Sequence, residues 1–258
     1  MIQSSLISVI IPMYNGVDLI GETIDSVINQ TYKDWELIII DDCSSDNGAG
    51  IDKVKKYMAK DPRIRLISLI KNKGSSGARN EGIRAAKGDV IALLDADDLW
   101  SECFLEKQID FMRLKDAAIV FSSYKRIDEG NKRERLTPFI VPDKVNYKTI
   151  LKSLPIFPST AVIDIKKIGK FYFDETMGSI RDDYVFWLNL LKNHVDYAYG
   201  NKEVLACYRM RSDSVTANKL KVIRPHWNVL RNVEQIPFLK SVFYLFLWAC
   251  TSVWKYSR

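Results

Sequence analysis

Between residues 6 and 123, short runs of strand-forming residues alternate with stretches of helical period, and few folds accommodate that alternation. "LISVII" (6–11), "ELIII" (36–40), "IRLISL" (64–69), "DVIALL" (89–94) and "AAIVFSS" (117–123) read as strands. "ELIII" is apolar on both sides, as a parallel strand buried between two layers should be. Ile20, Ile24, Val27 and Ile28 recur at i, i+4, i+7 and i+8 and mark one face of a helix over 17–30. Ile51, Val54 and Met58 mark a second helix, 75–88 a third that stops at Gly88, and 102–114 a fourth. Strand and helix in turn predict a doubly wound α/β sheet. At 258 residues and 47% hydrophobic content, the chain can build one large domain, or one with a small appendage.

The second half is less regular. Residues 125–145 are charged and turn-rich, with Gly130, Pro138 and Pro142, and read as a mobile connection. "STAVID" (159–164) reads as a strand. "DDYVFWLNLLKN" (182–193) reads as a helix with Tyr184, Trp187, Leu188 and Leu191 on one face. "EVLACYRMR" (203–211) alternates loosely, as an edge strand would. There is no internal repeat and no low-complexity segment.

Composition narrows the chemistry. The net charge of +6 fits a solvated basic surface, anionic substrates or an anionic membrane surface. No nucleic-acid-binding motif accompanies it, so nucleic acid is not the expected partner. Cys43, Cys103, Cys207 and Cys250 lie far apart and read as reduced thiols rather than a zinc site or disulfide frame. Two histidines, His194 and His226, offer little to a histidine metal site or a Ser-His-Asp triad. The start "MIQSSLISVIIPMYNG" lacks a basic segment, and its short apolar run ends at a proline, so no secretory signal is expected and the core should stay in the cytoplasm.

The carboxylates carry the functional signal. Asp41 and Asp42 follow one strand run; Asp95, Asp97 and Asp98 follow another. Both clusters fall at C-terminal strand ends, the edge where open α/β sheets bind ligands. Asp95 and Asp97, two apart in an extended segment, would face one ligand together. Three aspartates so crowded repel one another unless a cation sits among them, and Mg²⁺ or Mn²⁺ carrying a nucleoside diphosphate is the cation that such oxygen ligands suit. The competing reading is a helix cap, since Asp98 precedes "LWSECFLEKQ"; a cap accounts for one aspartate, not three. "IIIDDCSSD" has a rival reading too, as a strand-end turn. In "KGSSGARNEG", small residues permit close approach and Arg79 could pair with a phosphate, although no Walker A pattern is present; an ordinary helix start is the alternative. "RDDYVFW" sets two carboxylates at a helix start, as caps or as a general base for a hydroxyl. Arg209, Arg211 and Lys219 are either a solvated basic edge or contacts to phosphates.

"SVIIPMYN" (8–15), "LIIIDDCSSD" (37–46), "GSSGARNEG" (74–82), "IALLDADD" (91–98) and "DDYVFWLNL" (182–190), in this order, resemble the family 2 inverting glycosyltransferases of the A-type glycosyltransferase fold. The likeness spans roughly residues 6 to 220, and "YRMRSDSVTANK" (208–219) is similar to a stretch in bacterial enzymes that build capsule, teichuronic acid or lipopolysaccharide glycans. The resemblance implies a Rossmann-like α/β fold, a central mixed sheet flanked by helices, with a C-terminal helical extension. It implies that Pro12, Tyr14 and Asp42 hold the nucleobase and nucleoside, usually uridine, with Asn15 and Asp41 beside them. Arg79 matches an arginine near the base and ribose edge. Asp95 and Asp97 match the D-x-D pair, the first facing ribose and the second the metal; Ala96 lies between them, and Asp98 follows to orient the metal or donor sugar. Mn²⁺ or Mg²⁺ is the implied cofactor. The family base sits in an "ED" pair before an aromatic. Here the pair is Asp182-Asp183, so the glutamate is replaced; motif register favours Asp183, with Asp182 the rival.

The implied division is a catalytic domain over 1–220, with a nucleotide-binding half (1–124) and an acceptor-binding half (125–220), followed by a helical segment over 221–258. The implied partners are a nucleoside-diphosphate sugar and a glycan or lipid-linked acceptor. Two enzyme-free or rival classes remain on sequence grounds: a non-catalytic sugar-nucleotide-binding module, and a sugar-nucleotide pyrophosphorylase, whose glycine-rich basic loop "PMYNG" does not supply. "FLKSVFYLFLWACTSVWKYSR" (238–258) is apolar nearly all round from Val242 to Trp254. At ~1.5 Å per residue that run is short of the ~30 Å hydrocarbon core. It suits a helix lying on a membrane surface, here the cytoplasmic face of the inner membrane, or one packed on the protein.

Overall fold

Ile7–Met13 (β1) is buried at every position but Pro12, because it lies in the middle of the sheet with a parallel neighbour on each side. The computed structural model describes residues 5–128, 133–178, 180–210 and 219–256. After β1 come Ile20–Ile28 (α1), Trp35–Asp41 (β2), Ala49–Met58 (α2), Ile64–Ser68 (β3), Gly74–Ala85 (α3) and Val90–Leu93 (β4). Leu99–Trp100 (β5), Phe104–Lys115 (α4) and Ile119–Asp128 (β6) follow. The alternation expected for this half is present.

The second half adds Glu134–Phe139 (β7), Lys144–Val145 (β8), the helical turn Tyr147–Ile150 (α5), Ala161–Asp164 (β9) and the turn Ile165–Ile168 (α6). Asp182–Asn193 (α7), Ala198–Met210 (β10), Lys219–Asn228 (α8) and Phe238–Tyr256 (α9) complete it. The sheet runs β3-β2-β1-β4-β9-β6-β10-β5, with β7 on β6 and β8 on β10. It is mixed: β9 lies antiparallel to both β4 and β6.

Side-chain alternation along the strands divides the core between the two sheet faces. Val9, Ile11, Leu37 and Ile39 pack with Ile20 and Ile24 of α1, Val54 of α2 and Phe104 of α4. Ile10, Ile38 and Ile40 pack with Ala78 of α3 and with Trp187, Leu188 and Leu191 of α7. Period two in the strands and period near four in the helices therefore meet on the same surfaces.

Several expectations need correction. α3 ends at Ala85, not at Gly88; a Cβ on Gly88 would stand 2.4 Å from the Leu6 carbonyl oxygen, so that glycine serves a backbone crossing rather than a helix stop. The described residues of 125–145 are not a loose connection, since β6 runs on to Asp128 and pairs antiparallel with β7. β10 is not an edge strand: β6 lies on one side, and β5 and β8 on the other. β1 separates β2 from β4, so the two aspartate-bearing strand ends lie two strands apart.

At the C-terminus α8 contains Pro225 and passes into a π-helical turn, Val229–Val233, before α9. Trp248 of α9 is buried, while Phe238, Leu239, Val242, Phe243 and Phe246 are exposed. No helix among the described residues is long and apolar enough to cross a membrane.

Candidate active site

The carboxylates converge at one end of the sheet, and a single guanidinium joins them. Arg79 rises from the interior of α3 and is buried. Its Nη2 donates to Asp95 Oδ1 at 2.6 Å, and its Nη1 to Asp182 Oδ2 at 3.3 Å. The two carboxylates keep this buried guanidinium charged against the cost of desolvation. Arg79 thus binds protein carboxylates in place of the phosphate that the sequence suggested.

The segment after β4 is not extended. The Asp98 N–H bonds the Asp95 carbonyl at 3.1 Å, closing a turn. The turn separates the three aspartates. Asp95 and Asp97 remain partly exposed, whereas Asp98 is fully buried. Ser159 donates to Asp98 Oδ2 at 2.5 Å, and the Arg209 N–H donates to Oδ1 at 3.0 Å. Burial, reinforced by Asp97 and Asp95, pushes the Asp98 carboxyl well above the usual range. Both its oxygens are held inside the protein, so Asp95 and Asp97 are the members of the cluster open to solvent. Ala96 is fixed from behind, its carbonyl accepting from Thr23 Oγ1 at 2.9 Å.

Arg209 does not form a solvated edge. It is 1% exposed; its Nε donates to the Asp97 carbonyl at 2.8 Å and its Nη2 to Glu22 at 2.9 Å. Arg211 lies outside the described residues, as does the Lys219 side chain.

The ends of β1 and β2 form the other wall. Asn15, in the left-handed region at φ 50°, ties the two following loops together. Its N–H donates to Ser44 Oγ at 2.9 Å, and its Oδ1 accepts from the Ser45 N–H at 2.8 Å. Tyr14 beside it is 53% exposed, and Pro12 is half-buried. Asp42 is buried and accepts from the Lys73 N–H at 2.7 Å, which fixes the start of α3; burial raises its pKa. Asp41 Oδ1 is buried with no hydrogen-bond partner.

The acidic pair at the start of α7 divides into two environments. Asp182 is buried, and its Oδ2 accepts from Ser75 Oγ (2.8 Å), Ser76 Oγ (2.9 Å) and Arg79. Asp183 is half-buried and its Oδ1 accepts from the Tyr184 N–H at 2.7 Å, with no other donor among the described residues. Burial first, then the charge of Asp182, pushes the Asp183 carboxyl up to about 6, against the opposing pull of Arg181 and Arg79. Arg181, just ahead of the pair, sits at φ 76°, a region a non-glycine residue enters at a cost. Its guanidinium lies 4.6 Å from the Trp248 ring centre and 5.7 Å from that of Tyr184. His226 stacks between Tyr184 (4.8 Å) and Trp248 (4.5 Å).

Sequence reasoning missed Ser75, Ser76, Ser159, Thr23 and Trp248. The two serines lie inside a quoted motif, where hydroxyls near a candidate base were a usable signal. Ser159 lies 61 residues along the chain from Asp98, and Trp248 67 residues from Arg181, with no local pattern to mark them.

The donor set suits a hard divalent cation. Asp95 and Asp97 offer carboxylate oxygens at one partly exposed turn, and among the described residues no third His, Cys, Asp or Glu completes a cage. Mg²⁺ and Mn²⁺ favour this arrangement, with phosphate oxygens and water filling the remaining positions.

The sequence model of glycosyl transferase family 2 matches residues 8–185. The chain is 36% identical to the putative teichuronic acid biosynthesis glycosyltransferase TuaG of Bacillus subtilis, over 97% of each chain. It is 33% identical to WfgD of Escherichia coli, a UDP-Glc:α-D-GlcNAc-diphosphoundecaprenol β-1,3-glucosyltransferase, over 98% of this chain and 95% of that one. The crystal structure of S. aureus TarS 1-349 in complex with UDP superposes with a TM-score of 0.66 at 22% identity, covering 88% of this chain and 65% of that one. The chain therefore spans just under two thirds of that solved chain, and the likeness to it is one of fold.

Proposed function

The chain belongs to glycosyl transferase family 2 and is a glycosyltransferase, and we propose that it transfers a sugar with inversion from a UDP-sugar to a hydroxyl of a glycan or lipid-linked acceptor, with Asp183 as general base. The unequal environments of the acidic pair carry this reading. Asp182 is committed to Arg79, Ser75 and Ser76, whereas Asp183 is half-buried, bound among the described residues by one backbone N–H, and raised toward neutrality. A base poised near the working pH takes up a proton best.

The roles of the other residues follow from their positions. Pro12, Tyr14, Asn15, Asp41 and Asp42 form the nucleoside wall. The unpartnered Oδ1 of Asp41 suits an N–H of a pyrimidine base. Asp95 faces the ribose side, and Asp97 with Asp95 holds Mn²⁺ or Mg²⁺. When bound, that cation neutralises charge on the departing nucleoside diphosphate. Arg79 holds the donor-side Asp95 and the base-side Asp182 on one guanidinium, which fixes the spacing across which the sugar passes. Asp183 takes the acceptor proton as the hydroxyl oxygen attacks the anomeric carbon from the face opposite the nucleotide.

Residues 1–124 then form the donor half, 125–220 the acceptor half, and 221–258 a helical segment at the cytoplasmic face of the membrane. The exposed apolar residues of α9 support that placement, as does the lipid-linked acceptor in the name of WfgD. A role in surface polysaccharide synthesis is in line with both relatives.

A panel of sugar nucleotides with Mn²⁺ or Mg²⁺, read as nucleoside diphosphate release, tests the reading. Metal-dependent release from one UDP-sugar, lost in Asp97→Ala and in Asp183→Ala, is expected. Binding and release from none of the donors would refute it.

A further inference from the structure

The loop that leads into the acidic pair forms one wall of a groove whose other wall is C-terminal. Met177, Gly178 and Ile180 lie on the first side; Arg224, Pro225 and Trp227 of α8, with Asn228 and Asn232, lie on the second. The groove has a volume of about 630 Å³. Ile180 is three residues from Asp183, so their Cα atoms are within about 11 Å of each other.

The lining has two chemical characters. Arg224 is exposed, and no carboxylate pairs with it among the described residues. A free guanidinium in a groove is a phosphate ligand by geometry as well as charge. Asn228 and Asn232 are exposed amides, joined by a 2.6 Å hydrogen bond, in the stretch where the helix changes to π-helical pitch. Met177, Ile180, Pro225 and Trp227 supply apolar surface. Trp227 meets Phe238 edge-on at 5.6 Å, and Phe238 begins the exposed row that continues through Leu239, Val242, Phe243 and Phe246. The groove thus combines a cation, two amides and apolar surface, and Trp227 links it through Phe238 to the exposed apolar residues of α9.

We propose that this groove is the acceptor site, and that its occupant is a sugar joined through a diphosphate to a lipid. Arg224 holds the diphosphate, Trp227 with Ile180 packs on the sugar or the first lipid carbons, and the lipid leaves along α9. The inference rests on the glycosyltransferase reading and names the class of its acceptor. Area alone favours any apolar ligand; the unpaired Arg224 is what selects an anionic one.

The test uses the full chain with a water-soluble, short-chain alkyl diphosphate sugar as acceptor. Arg224→Ala, Arg224→Lys and Trp227→Ala are compared with wild type for acceptor KM, donor KM and acceptor-independent donor hydrolysis. The expected result for Arg224→Ala is a rise in acceptor KM of about tenfold or more, with the two donor readouts unchanged and partial recovery in Arg224→Lys. Trp227→Ala should raise the same constant, and circular dichroism confirms that each variant folds. An alkyl glycoside lacking the diphosphate should be a poor acceptor for wild type and insensitive to Arg224→Ala. Unchanged acceptor KM in both Arg224→Ala and Trp227→Ala, or equal use of the diphosphate and neutral acceptors, would overturn the acceptor assignment while donor turnover stands. Failure of wild type to bind any sugar nucleotide would instead remove the glycosyltransferase reading, and this inference with it.

Discussion

The guanidinium of Arg181 lies 4.6 Å from the ring centre of Trp248, so a residue of the last described helix packs on the residue that precedes the acidic pair. Arg181 holds a left-handed backbone conformation there, and its neighbours must over-determine it. Trp248→Ala should therefore do two things. It should cost about 3–5 kcal/mol of stability, as large aromatic truncations in a core do, seen in chemical denaturation. It should also lower kcat while leaving donor affinity close to wild type, whereas Trp248→Phe should recover most of both.

Asp182 and Asp183 should separate in their effects. Asp183→Asn removes the free carboxylate and should reduce kcat by ~10²–10⁴-fold with the fold intact. Asp182→Asn leaves Arg79 buried with one carboxylate instead of two, and should destabilise the protein by about 3 kcal/mol or more. Kinetics and denaturation on the same two variants check both statements. A stable, inactive Asp182→Asn beside an active Asp183→Asn would reverse the assignment.

The pH dependence has a definite sign. The Asp183 carboxyl is pushed up to about 6, and a base works only when ionised. The kcat/KM profile should fall on the acid side with a midpoint near pH 6 and flatten above pH 7. The same shift makes the folded state the better proton binder, so this group's contribution to stability is present at low pH and declines as pH rises from about 4 to 6.

His226 acts in the opposite direction. It is buried, and desolvation lowers its pKa to about 2. Between that value and ~6.5 the unfolded chain binds a proton that the folded chain does not, so stability falls as pH drops through this window. His226→Phe should keep the stack on Tyr184 and Trp248 and lose one proton's worth of that dependence, measured as denaturation midpoints between pH 4 and 7.

Asp98→Asn and Asp97→Asn should differ as an internal and a ligand-facing carboxylate do. Asp98→Asn keeps an acceptor for Ser159 or the Arg209 N–H and should retain metal-dependent donor release, with a stability loss of about 1–3 kcal/mol. Asp97→Asn should lose the metal response at little cost in stability. Metal titrations of diphosphate release decide between them.

The first half of the fold was legible because its signals are local: each strand run and helix face is a pattern within ten or fifteen residues. β9 was visible as a strand, but its antiparallel insertion between β4 and β6 depends on partners 40 to 74 residues away along the chain, and nothing in "STAVID" encodes direction. β10 read as an edge because its alternation is loose, and register shifts between Asn201 and Ala206 blur its period. At the site, the residue types at the strand ends announced the chemistry. Their division of labour was not legible: Asp98 became internal because Ser159 and Arg209 arrive from distant segments, and Asp182 because two serines and Arg79 surround it.

That antiparallel β9 bears on any attempt to build hybrids. It occupies the open side of β4, and the segment just before it delivers Ser159 to the aspartate turn. A chimera joined at residue 124 would give the donor half a foreign strand along its exposed margin and a foreign side chain under Asp98. Recombination that swaps acceptor preferences while keeping the donor should therefore carry residues 158–164 with the first half, as a separate splice, and exchange what lies on either side.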